Sequence, residues 1–374
     1  MADRIARIES FVLAGQGAQG AYGAPYGFIV KVTTEDGLVG YGESDTMPEV
    51  AAAVVDAPYL NGMMSGLRAV LVGIDSDPRA AWQVMREATS NWGRDGVTRH
   101  AMAAIDIALW DIAGKRAGAP VHALLGTARR DRVEAYASHP LGATLDETAA
   151  FASGLVGRGY RAVKFGWHPL GHDEAGDIAI VRTLREAVGD GIGLMIDGGM
   201  AWDADTAFTR AGLFEPFDIG WLEEPLAAYD LAGYRELGYS GVPIAAGEMA
   251  ASYEELALLM ATGGIDVLQV DISRVGLTEA MRVAELAEEL DIPLINHTYS
   301  YVLNAAASLH FLAVVHRTAL FECQVTENEI RAALDRDQLP LVDGCVAVPQ
   351  GSGLGVVVDD DVLRRFDKRI ANSE

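Results

Sequence analysis

The chain has 374 residues, half of them hydrophobic, and a formal net charge of −24. That length accommodates one large barrel with a smaller domain, or two ordinary domains. No apolar run approaches the roughly 18–20 residues that span a bilayer, and so acidic a surface disfavours nucleic acid and anionic membrane as partners. The first ten residues, MADRIARIES, carry no apolar stretch behind their basic residues, so no secretory signal is expected. Two cysteines, Cys323 and Cys345, make no disulfide framework, and a reducing cytoplasm is the expected compartment.

In chain order, residues 27–34 (GFIVKVTT) and 38–42 (LVGYG) flank Glu35-Asp36-Gly37, and Asp-Gly is a strong hairpin signal. A helix is predicted over 97–116, where Met102, Ile105, Leu109 and Ile112 recur at helical spacing. Lys115 and Arg116 suit its C-terminal end, and Gly118 stops it. From about residue 133 the texture changes to short apolar runs separated by amphipathic stretches. The runs are 133–138, 162–166, 193–198, 219–225, 243–248, 267–272, 293–298 and 320–325. Thr144-x-x-Glu147 and Ser252-x-x-Glu255, between runs, have the form of capping boxes. Strand and helix alternating eight times read as a parallel α/β barrel. The tail, 336–374, breaks the pattern.

A polar residue closes most of these runs. Lys164 is on the second, Asp197 on the third, Glu223 and Glu224 on the fourth and Glu248 on the fifth. Asp271, His297 and Glu322 follow on the sixth, seventh and eighth. From Asp197 the steps through Glu223, Glu248, Asp271 and His297 to Glu322 are 26, 25, 23, 26 and 25 residues. Each step is the length of one strand-helix unit, so each advances one strand around the ring. The C-terminal mouth of such a barrel is where its chemistry is built.

Asp197, Glu223 and Glu248 lie on consecutive strands and can converge on one cation. Oxygen ligands alone favour a hard ion, Mg2+ first and Mn2+ as a substitute, and no interleaved Cys or His suggests Zn2+. The competing arrangement pairs these carboxylates with Arg or Lys, which are scarce near the strand ends. Asp271 and His297 occupy equivalent places on neighbouring strands. A carboxylate that accepts from one ring nitrogen orients the imidazole and leaves the other nitrogen to move protons. The competing reading is a satisfied structural histidine.

The set AIDIALWDIAGK (104–115), LMIDGG (194–199), WLEEP (221–225), AAGE (245–248), VDISRVGLTEA (270–280), INH (295–297) and LFE (320–322) resembles the enolase superfamily, within it the mandelate racemase-like subgroup. The resemblance covers nearly the whole chain. It implies an α+β capping domain from 1–125, a modified (β/α)8 barrel of (β/α)7β form from 126–335, and a segment, 336–374, returning to the cap. It implies that Asp197, Glu223 and Glu248 hold one Mg2+ and that Asp271 and His297 are the acid/base dyad. Glu322 would hydrogen-bond the substrate carboxylate or the developing enolate oxygen. Lys164 would add positive charge there, with burial lowering its pKa. Cap loops at about 15–28 and 45–63, which include Tyr22 and Tyr26, would close over the mouth and select a small acid-sugar carboxylate. Members of the family are often homo-oligomers.

One departure bears on the reaction. Relatives in this subgroup often carry Lys-x-Lys on the second strand, the second lysine serving as a base. Here the segment reads Lys164-Phe165-Gly166. Dehydration of an acid sugar needs only the histidine dyad, whereas two-base racemisation loses a partner. His168 could replace the missing lysine, or could merely hydrogen-bond a substrate hydroxyl from its loop. The expected reaction is therefore Mg2+-assisted α-proton abstraction followed by loss of water. Racemisation, epimerisation and lactone cycloisomerisation are the near alternatives, and a metal-dependent barrel hydrolase or a non-catalytic binding protein the remote ones. The hydrolase expects His-x-His on the first strand, which here ends Ser138-His139-Pro140.

Overall fold

The computed structural model describes residues 3–15, 25–318 and 320–371. Strands Tyr26–Thr34 and Val39–Ser44 form the antiparallel hairpin expected around Asp36-Gly37, and Ile5–Ala14 pairs on the other side of the first. Gly37 takes φ +89°, a conformation that costs glycine little. The helix Val97–Ala117 lies on this sheet. Its backbone comes so close that a Cβ at Gly42 would stand 1.9 Å from the Ala104 carbonyl oxygen. The predicted apolar stripe is buried, and so are Ala103, Ala104 and Trp110 on other faces. The helix is covered on both sides, by the sheet and by the barrel helix Ile272–Glu289, where the Trp110 indole donates to Thr278 Oγ1 at 3.0 Å. It ends where Gly118 turns left-handed at φ +62°.

Eight barrel strands follow: Arg132–Pro140, Ala162–Gly166, Gly193–Asp197, Leu222–Glu223, Ile244–Ala246, Val267–Val270, Leu294–Asn296 and Phe321–Gln324. They pair in parallel from first to seventh, and the eighth pairs back onto the first, with Glu322 opposite Tyr136. A helix follows each of the first seven, from Leu145–Gly157 to Val302–Val314, giving (β/α)7β. The capping residues act as expected at two of these helices: Thr144 and Ser252 accept from the Glu147 and Glu255 amides. Each glutamate, however, reaches back to the residue before the cap, Ala143 or Ala251.

The fourth strand is shorter than the run 219–225. Glu224 takes φ +35° and turns its side chain out of the barrel, where it accepts from Tyr234 Oη at 2.8 Å and Gly247 N at 2.9 Å. Among the described residues no ladder joins the seventh and eighth strands. The Asn296 carboxamide bridges them instead, accepting from Glu322 N at 2.9 Å and donating to Glu322 O at 3.4 Å. Inside the ring Tyr136, Ala162, Met195, Trp221, Ala245 and Ile295 pack as one cluster.

After the eighth strand the chain adds a hairpin, Leu341–Val342 with Cys345–Ala347, antiparallel to the first barrel strand. It then reaches the cap sheet, where Asp360 pairs with Lys31 and accepts from Tyr41 Oη at 2.7 Å. The cap in turn grips the barrel through Glu43. This buried carboxylate accepts from the amides of Tyr301, Leu303 and Asn304 at the start of helix Val302–Val314, and burial pushes its pKa up to about 7. Among the described residues no helix is long and apolar enough to cross a membrane.

Candidate active site

Side chains two apart on a strand share a face. The interior cluster of Ala162, Met195, Trp221 and Ile295 therefore sets the direction of Lys164, Asp197, Glu223 and His297, each two residues further toward the mouth. Glu248 and Asp271 lie just past the fifth and sixth strands, and Glu322 is on the eighth. All seven are buried. Above them opens a cavity of about 590 Å3, lined by Lys164, Asp197, Glu248 and His297 from the barrel and by Tyr26 and Asp45 from the cap. Tyr22 lies outside the described residues.

Asp197, Glu223 and Glu248 each present an oxygen within 4.8 Å of the others. Glu248 Oε2 accepts no hydrogen bond, and its near cationic neighbour is His297 Nε2 at 3.3 Å. Two indoles orient the other carboxylates: Trp167 Nε1 donates to Asp197 Oδ2 at 3.0 Å and Trp221 Nε1 to Glu223 Oε2 at 2.9 Å. Burial pushes Asp197 up to about 6 and Glu223 up to about 7, against the pull of Lys164, and burial raises Glu248 as well. Three buried carboxylates with an open acceptor and only oxygen donors are a set that can hold a divalent cation of the Mg2+ kind. Asp45, Asp271 and His297 also approach within 4.8 Å. Their polar atoms are engaged with each other and with Arg274, so that group already carries its own cation.

His297 Nδ1 and Asp271 Oδ2 are 2.7 Å apart. Asp271 Oδ1 accepts from Ser273 N at 2.8 Å and from Asn304 Nδ2 at 3.2 Å, which fixes the carboxylate and through it the ring. Burial alone would lower the imidazole pKa, but Glu248, Glu322 and Asp271 together hold it up at about 10. Burial alone would raise Asp271, yet its hydrogen bond and charge contact with His297, with Arg274 beside it, keep it below the usual carboxylate range.

Lys164 overturns one expectation. It is buried, but it pairs with Glu223, with Glu322 at 2.8 Å and with Asp197 at 3.7 Å. Burial would lower its pKa; the carboxylates outweigh that and raise it well above the usual value. It is a fixed ammonium, not a lysine tuned toward neutrality. The scarcity of basic residues near the strand ends is corrected by the same contacts and by Arg274, which donates to the Glu248 carbonyl at 2.7 Å and to Asp45 at 3.1 Å. Glu322 accepts from Thr298 N at 2.7 Å, and burial, which would raise it, is outweighed by Lys164 and His297.

His168 is not brought to this cluster. It is exposed, while Gly166 and Trp167 line the cavity at that point. At Gly166 a Cβ would stand 2.2 Å from the Asp197 carbonyl oxygen and 2.3 Å from its Cβ, so no side chain fits there on this backbone. The two tryptophans, Arg274 and Asp45 escape a reading by strand ends. Trp221 alone carried a signal, as the residue two before Glu223 on the same face.

Residues 18–126 match the mandelate racemase / muconate lactonizing enzyme N-terminal domain family, and residues 147–362 the enolase C-terminal domain-like family. The chain is 31% identical to a D-galactarolactone cycloisomerase of Agrobacterium fabrum, covering 90% of each. It is also 31% identical to a D-gluconate dehydratase of Thermoproteus tenax, over 97% of this chain and 74% of that one. The crystal structure of the 3,6-anhydro-D-galactonate cycloisomerase from Zobellia galactanivorans superposes with a TM-score of 0.88 at 30% identity, covering 97% of this chain and 99% of that chain. A racemase from Streptomyces coelicolor A3(2) with bound magnesium gives 0.84 at 29% identity, covering 97% of this chain and 99% of that chain.

Proposed function

The chain belongs to the mandelate racemase/muconate lactonizing enzyme-like branch of the enolase superfamily, and on that premise we propose that it is a Mg2+-dependent enzyme that removes the α-proton of an acid sugar and then eliminates water from the β-carbon. The observation that carries this reading is a single buried dyad, Asp271–His297, with Gly166 where a second base would stand.

In this reading Asp197, Glu223 and Glu248 hold one Mg2+, whose Lewis acidity stabilises the negative charge that develops on the substrate carboxylate. Lys164, anchored by Glu322, adds a fixed positive charge beside that carboxylate. Asp271 holds the imidazole so that Nε2 faces the cavity. With Glu248, the largest contact holding the imidazole's proton, given over to the cation, a neutral His297 Nε2 would take the α-proton, the C–H electron pair passing into the carboxylate as an enediolate. The β C–O bond then breaks, and the hydroxyl leaves as water with the proton that His297 acquired. The resulting enol becomes a 2-keto-3-deoxy acid.

Ring opening or closure by a cycloisomerase is the second reading. It is favoured by the cycloisomerases among the relatives and needs the same first proton transfer. Two-base racemisation is disfavoured by the filled space at Gly166. The test is to incubate the Mg2+-loaded protein in D2O with a panel of aldonates, aldarates and their lactones. Keto-acid formation supports dehydration, and a rearranged ring supports the second reading. No product together with no deuterium at the α-carbon would sink both.

A further inference from the structure

We propose that the cavity accepts acid sugars bearing one carboxylate and a neutral, hydroxylated far end, and rejects the corresponding dicarboxylates; this rests on the acid-sugar reading above. The argument is an account of cations. A buried second carboxylate is tolerated only where a positive group is free to meet it.

Among the described residues the cationic side chains lining the cavity besides the dyad imidazole are Lys164, Arg274 and Arg331. Lys164 belongs to the strand-end cluster, where the reacting carboxylate would lie. Arg274 spends its two terminal nitrogens on the Glu248 carbonyl and on Asp45, and its Nε, which makes no hydrogen bond, is buried 3.7 Å from Asp271 Oδ2, so its charge is already met by two carboxylates. Arg331 donates to Asp335 at 2.7 Å and to the Ser300 carbonyl, with its guanidinium 5.4 Å over the Tyr301 ring. His139, also on the wall, meets the Pro140 carbonyl through Nδ1 at 2.7 Å, and burial lowers its pKa, so it adds no charge.

Among the described residues, the cap lines the cavity with Pro25, Tyr26, Gly27, Ser44 and Asp45, none of them cationic. What the walls do offer is hydroxyl, amide and carboxylate chemistry: Tyr26, Tyr299, Gln324, Thr326, Asn328 and Glu327. Those groups hydrogen-bond sugar hydroxyls well, and Glu327 repels a second anion.

The experiment compares aldonates with aldarates of the same length and configuration, D-galactonate with galactarate and D-gluconate with D-glucarate among them. The Mg2+-loaded protein is used, with Kd by calorimetry beside kcat/KM. The expected result is a preference for the monoacid of roughly 100-fold or more, because like charges brought together in an interface cost several kcal/mol. Equal or tighter binding of the diacid overturns the proposal, whatever the turnover. Selective monoacid binding without turnover supports it and counts against dehydration instead. Binding of neither overturns both. Glu327→Lys, an exposed position, is expected to narrow the gap about 3- to 10-fold; an unchanged gap removes the acidic wall as its cause.

Discussion

On the cavity floor five carboxylates, Asp197, Glu223, Glu248, Asp271 and Glu322, crowd around one ammonium and one imidazole. On the wall each guanidinium has its own carboxylate, Arg274 with Asp45 and Arg331 with Asp335. The floor is therefore short of positive charge, and the wall is balanced. A multivalent cation belongs where negative charge is in excess, a substrate carboxylate would follow only once that cation is in place, and hydroxyl recognition belongs where charge is already cancelled. The floor rides on strands, which hold side chains tightly, whereas the wall is assembled from loops that a family can vary without disturbing the barrel.

The sharpest way to break this contrast is His297→Asn. Removing the proton carrier is expected to lower kcat by roughly 10^3- to 10^4-fold and to abolish α-deuterium exchange, while Mg2+ affinity measured by calorimetry stays within a few-fold. Loss of less than about tenfold would return His297 to a structural role. The adjacent pair Glu223 and Glu224 gives the next effect. Glu223→Gln is expected to weaken Mg2+ binding by about 100-fold or more. Glu224→Gln, whose carboxylate serves Tyr234 and Gly247, should leave that affinity nearly intact and cost about 1–3 kcal/mol of stability. Equal losses of Mg2+ affinity in the two variants would erase the distinction between floor and scaffold.

The smallest effect is on pH. Asp197 and Glu223 have folded-state pKa values of about 6 and about 7, above those of the unfolded chain. Carboxylates shifted upward favour the fold while protonated, so the metal-free protein loses stability as pH rises through the window from about 4 to 7. A bound cation removes that penalty but must displace the protons. The Mg2+-induced rise in Tm is therefore expected to grow from about pH 5 to pH 8 and then level off, with more protons released on binding at about pH 5 than at about pH 8. An increment that shrinks over that range would show the triad is not where the cation binds.

Much of this was legible in the sequence for a simple reason. A strand-helix unit has a nearly constant length, so residues recurring every 23 to 26 positions must meet at one end of a closed ring. That rule carries Asp197, Glu223, Asp271 and His297 to the mouth, and it says nothing of what approaches from elsewhere. Arg274 comes from the first turn of a helix and Asp45 from the cap, and neither follows the period. Lys164 lies off that period and was placed by its strand end alone, and its charge state was not legible, because that depends on three carboxylates from other strands. His168 fell outside because the strand ends at Gly166 and the following loop turns its ring to solvent.

One seam of the barrel is fastened by side chains. Asn296 supplies both the acceptor and the donor that a neighbouring strand would ordinarily provide, between the residue before His297 and the strand bearing Glu322. Among the described residues the other staves are joined by main-chain ladders, whereas this seam relies on side chains, the Asn296 carboxamide and the Glu322 carboxylate that accepts from Thr298 N, and it separates the proton carrier from the anchor of Lys164. Losing that carboxamide, as in Asn296→Ala, would remove the Asn296–Glu322 bonds there while leaving the main-chain ladders of the other staves in place.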